Sequence, residues 1–359
     1  MKRAVLCVSN PENYIQDLND YSVMIVNPES PESRKNYLLE KSDYSLLITN
    51  TQQITRNGAD YADEKVFWYT SGTTGDSKFC SFSQSQIDNM AKTICKAYDI
   101  TVNDRYVGIM PLWHAHGQGF YWATKLAGCE TRFLNISGIR QIEHLAPTFI
   151  TAVPDFLKVI AKCQFQTLRF IRSASAALPN DLYMILKEKF NVPVIEAFGM
   201  TEAMSHCFTN PLQGPQRMGT VGNPDGIEAE IVDGHLFIKG PNVVTGTWYD
   251  TGDLAEQDDQ GFFVIKGRHK DQINIRGIKI NPISIEQQLK KNITNIGDCV
   301  VFGQNSLKCI YTGDCEPEEI VYFLLRLGTY CRPNLVEKLD GIPVSPSGKI
   351  SRSWLASKF

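Results

Sequence analysis

The chain has 359 residues, 43% hydrophobic and 21% charged, which suits a globular protein with sizeable cores and argues against a disordered or fibrous one. A formal net charge of −3 gives no basic footprint, so nucleic acid is not expected as a partner. No run is apolar enough to span a bilayer, and ten cysteines without Cys-x-x-Cys or Cys/His ligand spacing read as buried, reduced thiols of a cytoplasmic protein.

The first apolar run, Ala4-Val5-Leu6, is too short for a signal peptide and is followed by Pro11, so it is predicted as a first β-strand. Further buried strands are predicted at 23–26 and 45–48, and residues 1–64 carry no recognisable chemistry. Phe67-Trp68-Tyr69 reads as a strand that breaks into a loop of glycines and hydroxyl residues. Ser83 with Gln86 then forms a capping box that opens a helix, with Ile87, Met90, Ala91, Ile94 and Ala97 on one face. Strand patterns at 106–110, 131–134, 148–152, 168–171 and 192–197 alternate with helical patterns at 119–127, 155–163 and 180–190. Such alternation predicts an α/β domain with largely parallel strands. After about residue 215 short alternating runs at 228–232, 235–239 and 262–266 predict antiparallel β structure, a small barrel or meander. Residues 272–359, with helical patterns at 283–291 and 317–327, suit a small α+β domain.

The loop after Tyr69 runs Thr70-Ser71-Gly72-Thr73-Thr74-Gly75-Asp76-Ser77-Lys78. Gly72 and Gly75 keep side chains out of the way, so main-chain N–H groups and hydroxyls can surround an anion with Lys78 as a point charge. The Walker spacing is absent, and on residues alone a plain turn explains the stretch equally well. The stretch nevertheless resembles the phosphate loop of the adenylate-forming superfamily: acyl-CoA and aryl-CoA synthetases, peptide-synthetase adenylation domains and luciferase. Four further motifs of that superfamily follow in its order. They are Phe198-Gly199-Met200-Thr201-Glu202, Tyr249-Asp250-Thr251-Gly252-Asp253-Leu254, Gly267-Arg268-His269-Lys270-Asp271 and Pro346-Ser347-Gly348-Lys349-Ile350-Ser351-Arg352.

The resemblance implies a role for each matching residue. Thr70, Ser71, Gly72, Thr73, Thr74, Gly75 and Lys78 would bind the phosphates of ATP. Ala197, Phe198, Gly199 and Met200 would line the adenine site, with Phe198 stacking on the base, and Ser175 and Ala176 would belong to the small-residue turn beside it. Glu202 would ligate Mg²⁺, a hard cation that shares sites between carboxylates and phosphate, and Thr201 would contact phosphate. In isolation Glu202 also reads as a helix N-terminal charge. Asp253 would accept hydrogen bonds from the ribose hydroxyls, and Arg268 would add a second nucleotide contact. Lys349 would stabilise the charge that builds up as the substrate carboxylate attacks the α-phosphorus. Trp113, His114 and Gly117 match the acyl-pocket motif, Ser175 and Phe198 would line the acid pocket as well as the adenine site, and His116 is a second candidate there. No Asp lies in 111–119 to pair with an amino group, which disfavours an amino acid as the substrate.

The domains implied are a shortened ATP- and acid-binding domain over 1–269, β-rich from about 215, and a small mobile domain over 271–359, with the hinge at Lys270. The reaction implied is activation of a carboxylic acid to acyl-AMP, then transfer to the thiol of CoA or to the phosphopantetheine arm of a carrier protein. Asn274 stands where CoA ligases often carry Lys, and Ser77 and Phe79 replace the usual Pro and Gly. A catalytically inactive nucleotide-binding protein is the alternative of a different class.

Overall fold

The computed structural model describes residues 1–69, 78–134, 136–343 and 350–359. The expectations for residues 70–75 of the phosphate loop and for Lys349 therefore lie outside the described residues. Among the described residues no helix is long and apolar enough to cross a membrane.

A first sheet is built from Lys2–Cys7, Tyr21–Ile25, Leu46–Thr49, Gln53–Thr55, Val66–Tyr69 and Phe79–Phe82. Lys2–Cys7 runs parallel to both Tyr21–Ile25 and Leu46–Thr49, and its residues Ala4, Val5 and Leu6 are wholly buried. The guanidinium of Arg3 makes two hydrogen bonds to Glu64, at 2.8 and 3.0 Å, and lies 3.6 Å from the Tyr61 ring centre. A buried pair is tolerated only when both ions are so satisfied, and this one ties the first strand to the segment leading into Val66–Tyr69.

One expectation is corrected here. The capped helix is not the first element after the loop, because Phe79–Phe82 is itself a strand, paired antiparallel with Val66–Tyr69 so that Tyr69 faces Phe79. Cys80 and Phe82 point into the core while Phe79 and Ser81 do not, a two-residue period too short to stand out in the sequence. The helix Gln84–Tyr98 follows, with both halves of the Ser83/Gln86 capping box formed.

The second sheet has the spatial order Asn223–Pro224, Phe208–Thr209, Val194–Phe198, Phe170–Ser173, Phe149–Ala152, Arg105–Gly108, Glu130–Phe133. Its last five strands are parallel, linked by helices including Ala115–Ala127, Pro154–Ile160 and Asn180–Phe190, as the alternating pattern predicts. Tyr106, Phe149 and Phe170, one from each of three adjacent strands, stack with centroids 5.2 and 5.0 Å apart, and Tyr98 from the capped helix extends the column at 5.3 Å. Each such pair is worth roughly 0.5–1.5 kcal/mol beyond its buried area, so the column fixes where Tyr98 stands over the sheet.

Beyond it, Glu228–Val232, His235–Lys239, Tyr249–Gln257 and Phe263–Arg268 form a four-stranded antiparallel meander rather than a closed barrel. From Ile273 onward the chain forms a two-stranded ribbon, a three-stranded sheet, and the helices Pro282–Asn292, Pro317–Leu327 and Arg352–Lys358 around a core of their own that includes Ile285, Leu289, Val301, Ile320 and Leu324.

Candidate nucleotide and acid site

In a parallel sheet the strand ends converge on one edge, where loops are free to carry chemistry. Three motif segments leave strands of this sheet at that edge. Ala174-Ser175-Ala176 follows Phe170–Ser173, Gly199-Met200-Thr201-Glu202 follows Val194–Phe198, and Trp113-His114 follows Arg105–Gly108 after a short turn. A Cβ on Gly199 would sit 1.9 Å from the Ser205 carbonyl oxygen, so only glycine lets the chain fold back here. The turn Thr201–Ala203 is then pinned on both sides. The Ser205 amide donates to the Met200 carbonyl at 2.8 Å, and the Val244 amide donates to the Glu202 carbonyl at 2.8 Å. Glu202 is thereby held half-buried at the strand end.

The segment carrying Ser175 and Ala176 is exposed, and Ser175 adopts a left-handed backbone with φ of 71°. Glu196 braces it, its Oε1 accepting from the Leu178 amide at 2.9 Å. Burial pushes the Glu196 carboxyl up to about 7. Phe198 is half-buried, with its ring edge-to-face on Phe208 at 5.9 Å; Ala197 and Met200 are buried.

The motif residues of the meander face this edge. Lys78 Nζ donates to the Tyr249 hydroxyl at 3.3 Å, and that bond raises the lysine's pKa, with Glu202 adding to it. The Tyr249 phenol is pushed up by burial and by Glu202, against Lys78. Lys78, Glu202 and Tyr249 thus form one electrostatic group, although 124 positions separate Lys78 from Glu202 and 47 separate Glu202 from Tyr249 along the chain.

Asp253 is 4% exposed, and its Oδ1 pairs with Arg268 Nε at 2.9 Å. Arg268 Nη1 also donates to the Thr251 carbonyl at 2.9 Å. Asp253 Oδ2 is buried and takes no hydrogen bond among the described residues. Burial raises the Asp253 carboxyl to about 6 despite Arg268, with Asp271 and Glu202 contributing in the same direction. A buried carboxylate oxygen without a donor suits a ligand that brings its own hydroxyl groups, as a ribose does. Lys270 lies in the short turn His269–Asp271; its ammonium is pushed down by partial desolvation first, then by Arg268, with Lys78 adding like charge.

At the acid-pocket motif the structure separates the two histidines. His114 occupies the position just before the helix Ala115–Ala127, without a side-chain capping bond, and lies half-buried with its ring 6.5 Å from that of Trp113. His116 is buried: its Nδ1 lies 3.1 Å from Ser175 Oγ and its Nε2 2.7 Å from Thr151 Oγ1. A Cβ on Gly117 would sit 2.3 Å from the Pro111 carbonyl oxygen, so glycine is required for this helix start to pack against the preceding turn. Thr151, Tyr98, Glu196 and the buried Arg172 are residues that sequence reasoning missed. An arginine inside the apolar run Phe170-Ile171-Arg172-Ser173 is the signal that points to the last of them.

A family model described as AMP-binding enzyme matches residues 59–248. An oxalate–CoA ligase from Arabidopsis thaliana is 30% identical over 349 residues, covering 83% of this chain and 68% of the relative. A 2-succinylbenzoate–CoA ligase from Lactococcus lactis is 29% identical over 333 residues, covering 83% of this chain and 72% of the relative. This chain thus spans about two thirds of the length of such relatives. The crystal structure of ATP-bound MatB from Rhodopseudomonas palustris superposes with a TM-score of 0.88 at 19% identity, covering 99% of this chain and 88% of that one, which shows a shared fold.

Proposed function

We propose, for a chain that belongs to the AMP-binding enzyme family, that it is an AMP-forming acid–thiol ligase acting on a small acid with a second carboxylate. In the first half-reaction a carboxylate oxygen attacks the α-phosphorus of ATP, forming acyl-AMP and releasing pyrophosphate. In the second the thiol sulfur attacks the acyl carbon, forming the thioester and releasing AMP. CoA is the acceptor named for the relatives, and it is our reading for this chain. Oxalate and 2-succinylbenzoate, the acids in the relatives' names, both carry two carboxyl groups, which supports the second carboxylate.

The observation that carries the reading is Asp253. Its buried, unpartnered Oδ2 beside Arg268 fits two ribose hydroxyl donors, at a sheet edge that also presents Lys78 and Glu202. Lys78 would meet the phosphates together with residues 70–75. Glu202 would share Mg²⁺ with phosphate oxygens, and the bound metal would neutralise charge on the departing pyrophosphate. Ala197, Phe198, Gly199, Met200, Ser175 and Ala176 would enclose the base. Trp113, His114 and Gly117 would form the wall of the acid pocket, with Ser175 and Phe198 shared between it and the base. Lys349 would approach the α-phosphate, and Lys270 would be the pivot between the domain ending near 269 and that starting near 271. All ten cysteines are free, which suits a reducing compartment such as the cytoplasm.

Product analysis by mass spectrometry tests the reading. ATP, Mg²⁺ and malonate or oxalate should give acyl-AMP and pyrophosphate without CoA, and acyl-CoA and AMP with it. Release of ADP and phosphate would refute the chemistry. Acylation of a phosphopantetheinylated carrier protein but not of CoA would move the acceptor.

A further inference from the structure

Arg172 lies mid-sheet on the strand Phe170–Ser173 and is 1% exposed. A guanidinium does not lose its proton in a protein, so this is a charge held inside the core. Its Nε donates to the Tyr98 hydroxyl at 2.8 Å. Its Nη1 lies 3.2 Å from Thr151 Oγ1 and 3.1 Å from His116 Nε2. The aromatic faces of Phe120 and Tyr98 lie 5.1 and 5.8 Å from the guanidinium carbon. Among the described residues no carboxylate pairs with Arg172, and its Nη2 has no hydrogen-bond partner. Nearby His206 is itself paired with Asp225 at 2.7 Å, and Arg172 adds to the burial that holds its pKa down. A buried cation without an anion is costly, by several kcal/mol on the usual scale.

The geometry favours one state of His116. Arginine nitrogens only donate, so a lone pair on His116 Nε2 lets that atom accept from both Arg172 Nη1 at 3.1 Å and the Thr151 hydroxyl at 2.7 Å. The ring proton then sits on Nδ1, 3.1 Å from Ser175 Oγ; a proton on Nε2 would go to Thr151 Oγ1 instead and deny Arg172 Nη1 the ring as an acceptor. Ser175 Oγ accepts that bond and keeps its own O–H to donate outward. Ser175 is exposed at the carboxyl edge of the sheet. The cation thus communicates with the edge through two hydrogen bonds, from Arg172 to His116 and from His116 to Ser175, each with its N–H pointing outward.

We propose that Arg172 is a positioning residue that locks His116 as the Nδ1–H tautomer, so that His116 holds the Ser175 hydroxyl as the donor that recognises the second anionic group of the acid. This rests on the acid–thiol ligase reading for where the acid lies. The buried positive charge supplies a field that favours a dianion over a monoanion of the same shape, and the fixed tautomer leaves the Ser175 O–H to donate.

Two measurements on the full chain test it. In ¹⁵N-histidine-labelled protein, long-range ¹H–¹⁵N spectra should show His116 Nδ1 with a pyrrole-type shift and Nε2 with a pyridine-type shift. Titration with malonate should move the Nδ1 signal, and propionate should not. In pyrophosphate exchange the ratio of kcat/KM for malonate to that for propionate should fall by about tenfold in Arg172→Met and Ser175→Ala, the scale of a lost hydrogen bond to an ion. His116→Asn, whose amide replaces Nδ1, should keep more of that ratio than His116→Gln, whose amide replaces Nε2. Should Arg172→Met fail to fold, the exposed Ser175→Ala and the tautomer assignment still decide. An Nε2–H tautomer, or a wild type that exchanges equally with both acids, overturns the proposal while leaving the ligase reading intact. A wild type that exchanges with no acid, yet still shows the malonate-selective Nδ1 shift, overturns the ligase reading and supports the anion site.

Discussion

Asp253 is tied to Arg268 through one carboxylate oxygen at 2.9 Å while its other oxygen is buried without a donor. The carboxyl's raised pKa, about 6, means that the folded protein favours the neutral acid. The associated stability is present below the ordinary carboxyl pKa and is lost as pH rises through about 6. A shift of about two units corresponds to about 3 kcal/mol. Asp253→Asn should therefore melt higher than wild type at pH 8 and the same as wild type near pH 4. Denaturation at the two pH values checks this.

Nucleotide affinity should move the opposite way. Ribose hydroxyls donate to the ionised carboxylate, so ATP binding expels the Asp253 proton. Wild-type affinity should rise as pH rises through about 6 and then level off. Asp253→Asn should bind ATP weakly and lose this dependence, as read by calorimetry in buffers of different ionisation enthalpy.

Tyr249 restrains Lys78 through a single hydrogen bond at 3.3 Å. Tyr249→Phe removes that bond and leaves the ring beneath the lysine, where Nζ lies 5.7 Å from its centre. The KM for ATP should rise by about fivefold, in line with about 1 kcal/mol for such a bond, with little change in kcat. A fall in kcat with KM unchanged would place Tyr249 in the chemical step instead.

Arg352 makes two hydrogen bonds, each 2.7 Å, to Glu286, and both side chains are mostly buried. Burial pushes the Glu286 carboxyl up, and Arg352 pulls it back. Arg352→Met leaves a buried, unpaired carboxylate and should cost about 3–5 kcal/mol; Arg352→Met with Glu286→Leu should recover most of it. Urea denaturation of the four proteins of this double-mutant cycle measures the coupling. Arg352 lies three residues after Lys349, so the single variant should also lose adenylation activity under conditions where it remains folded.

Proline at position 270 fixes φ near −65° and restricts the residue before it. If Lys270 is the pivot, Lys270→Pro should keep pyrophosphate exchange and lose thioester formation. Equal loss of both would place the pivot elsewhere.

Much of the fold was legible because periodicity is local. The parallel strands and their helices lie within a few residues of where alternation of apolar runs puts them, and the Ser83 cap is formed as its two side chains predict. The strands Phe79–Phe82, Phe208–Thr209 and Asn223–Pro224 were not legible, since two to four residues carry too little pattern. The site divides in the same way. Glu202, Asp253 and Arg268 sit in contiguous motifs and could be named from sequence. Arg172, Thr151 and Tyr98 each read singly as core, and His116, named as a pocket candidate, could not be joined to them, because they meet only where parallel strands place Thr151 beside Arg172 in register.

The central claim is that a carboxylic acid is activated at the α-phosphate of ATP. Exchange of labelled pyrophosphate into ATP, without thiol, tests it most directly. The account predicts exchange only when an acid such as malonate is added, and loss of that exchange by about 10²–10³ in Lys349→Ala, the usual scale for removing a positioned charge. Exchange that is independent of any acid, or undiminished in Lys349→Ala, would contradict it.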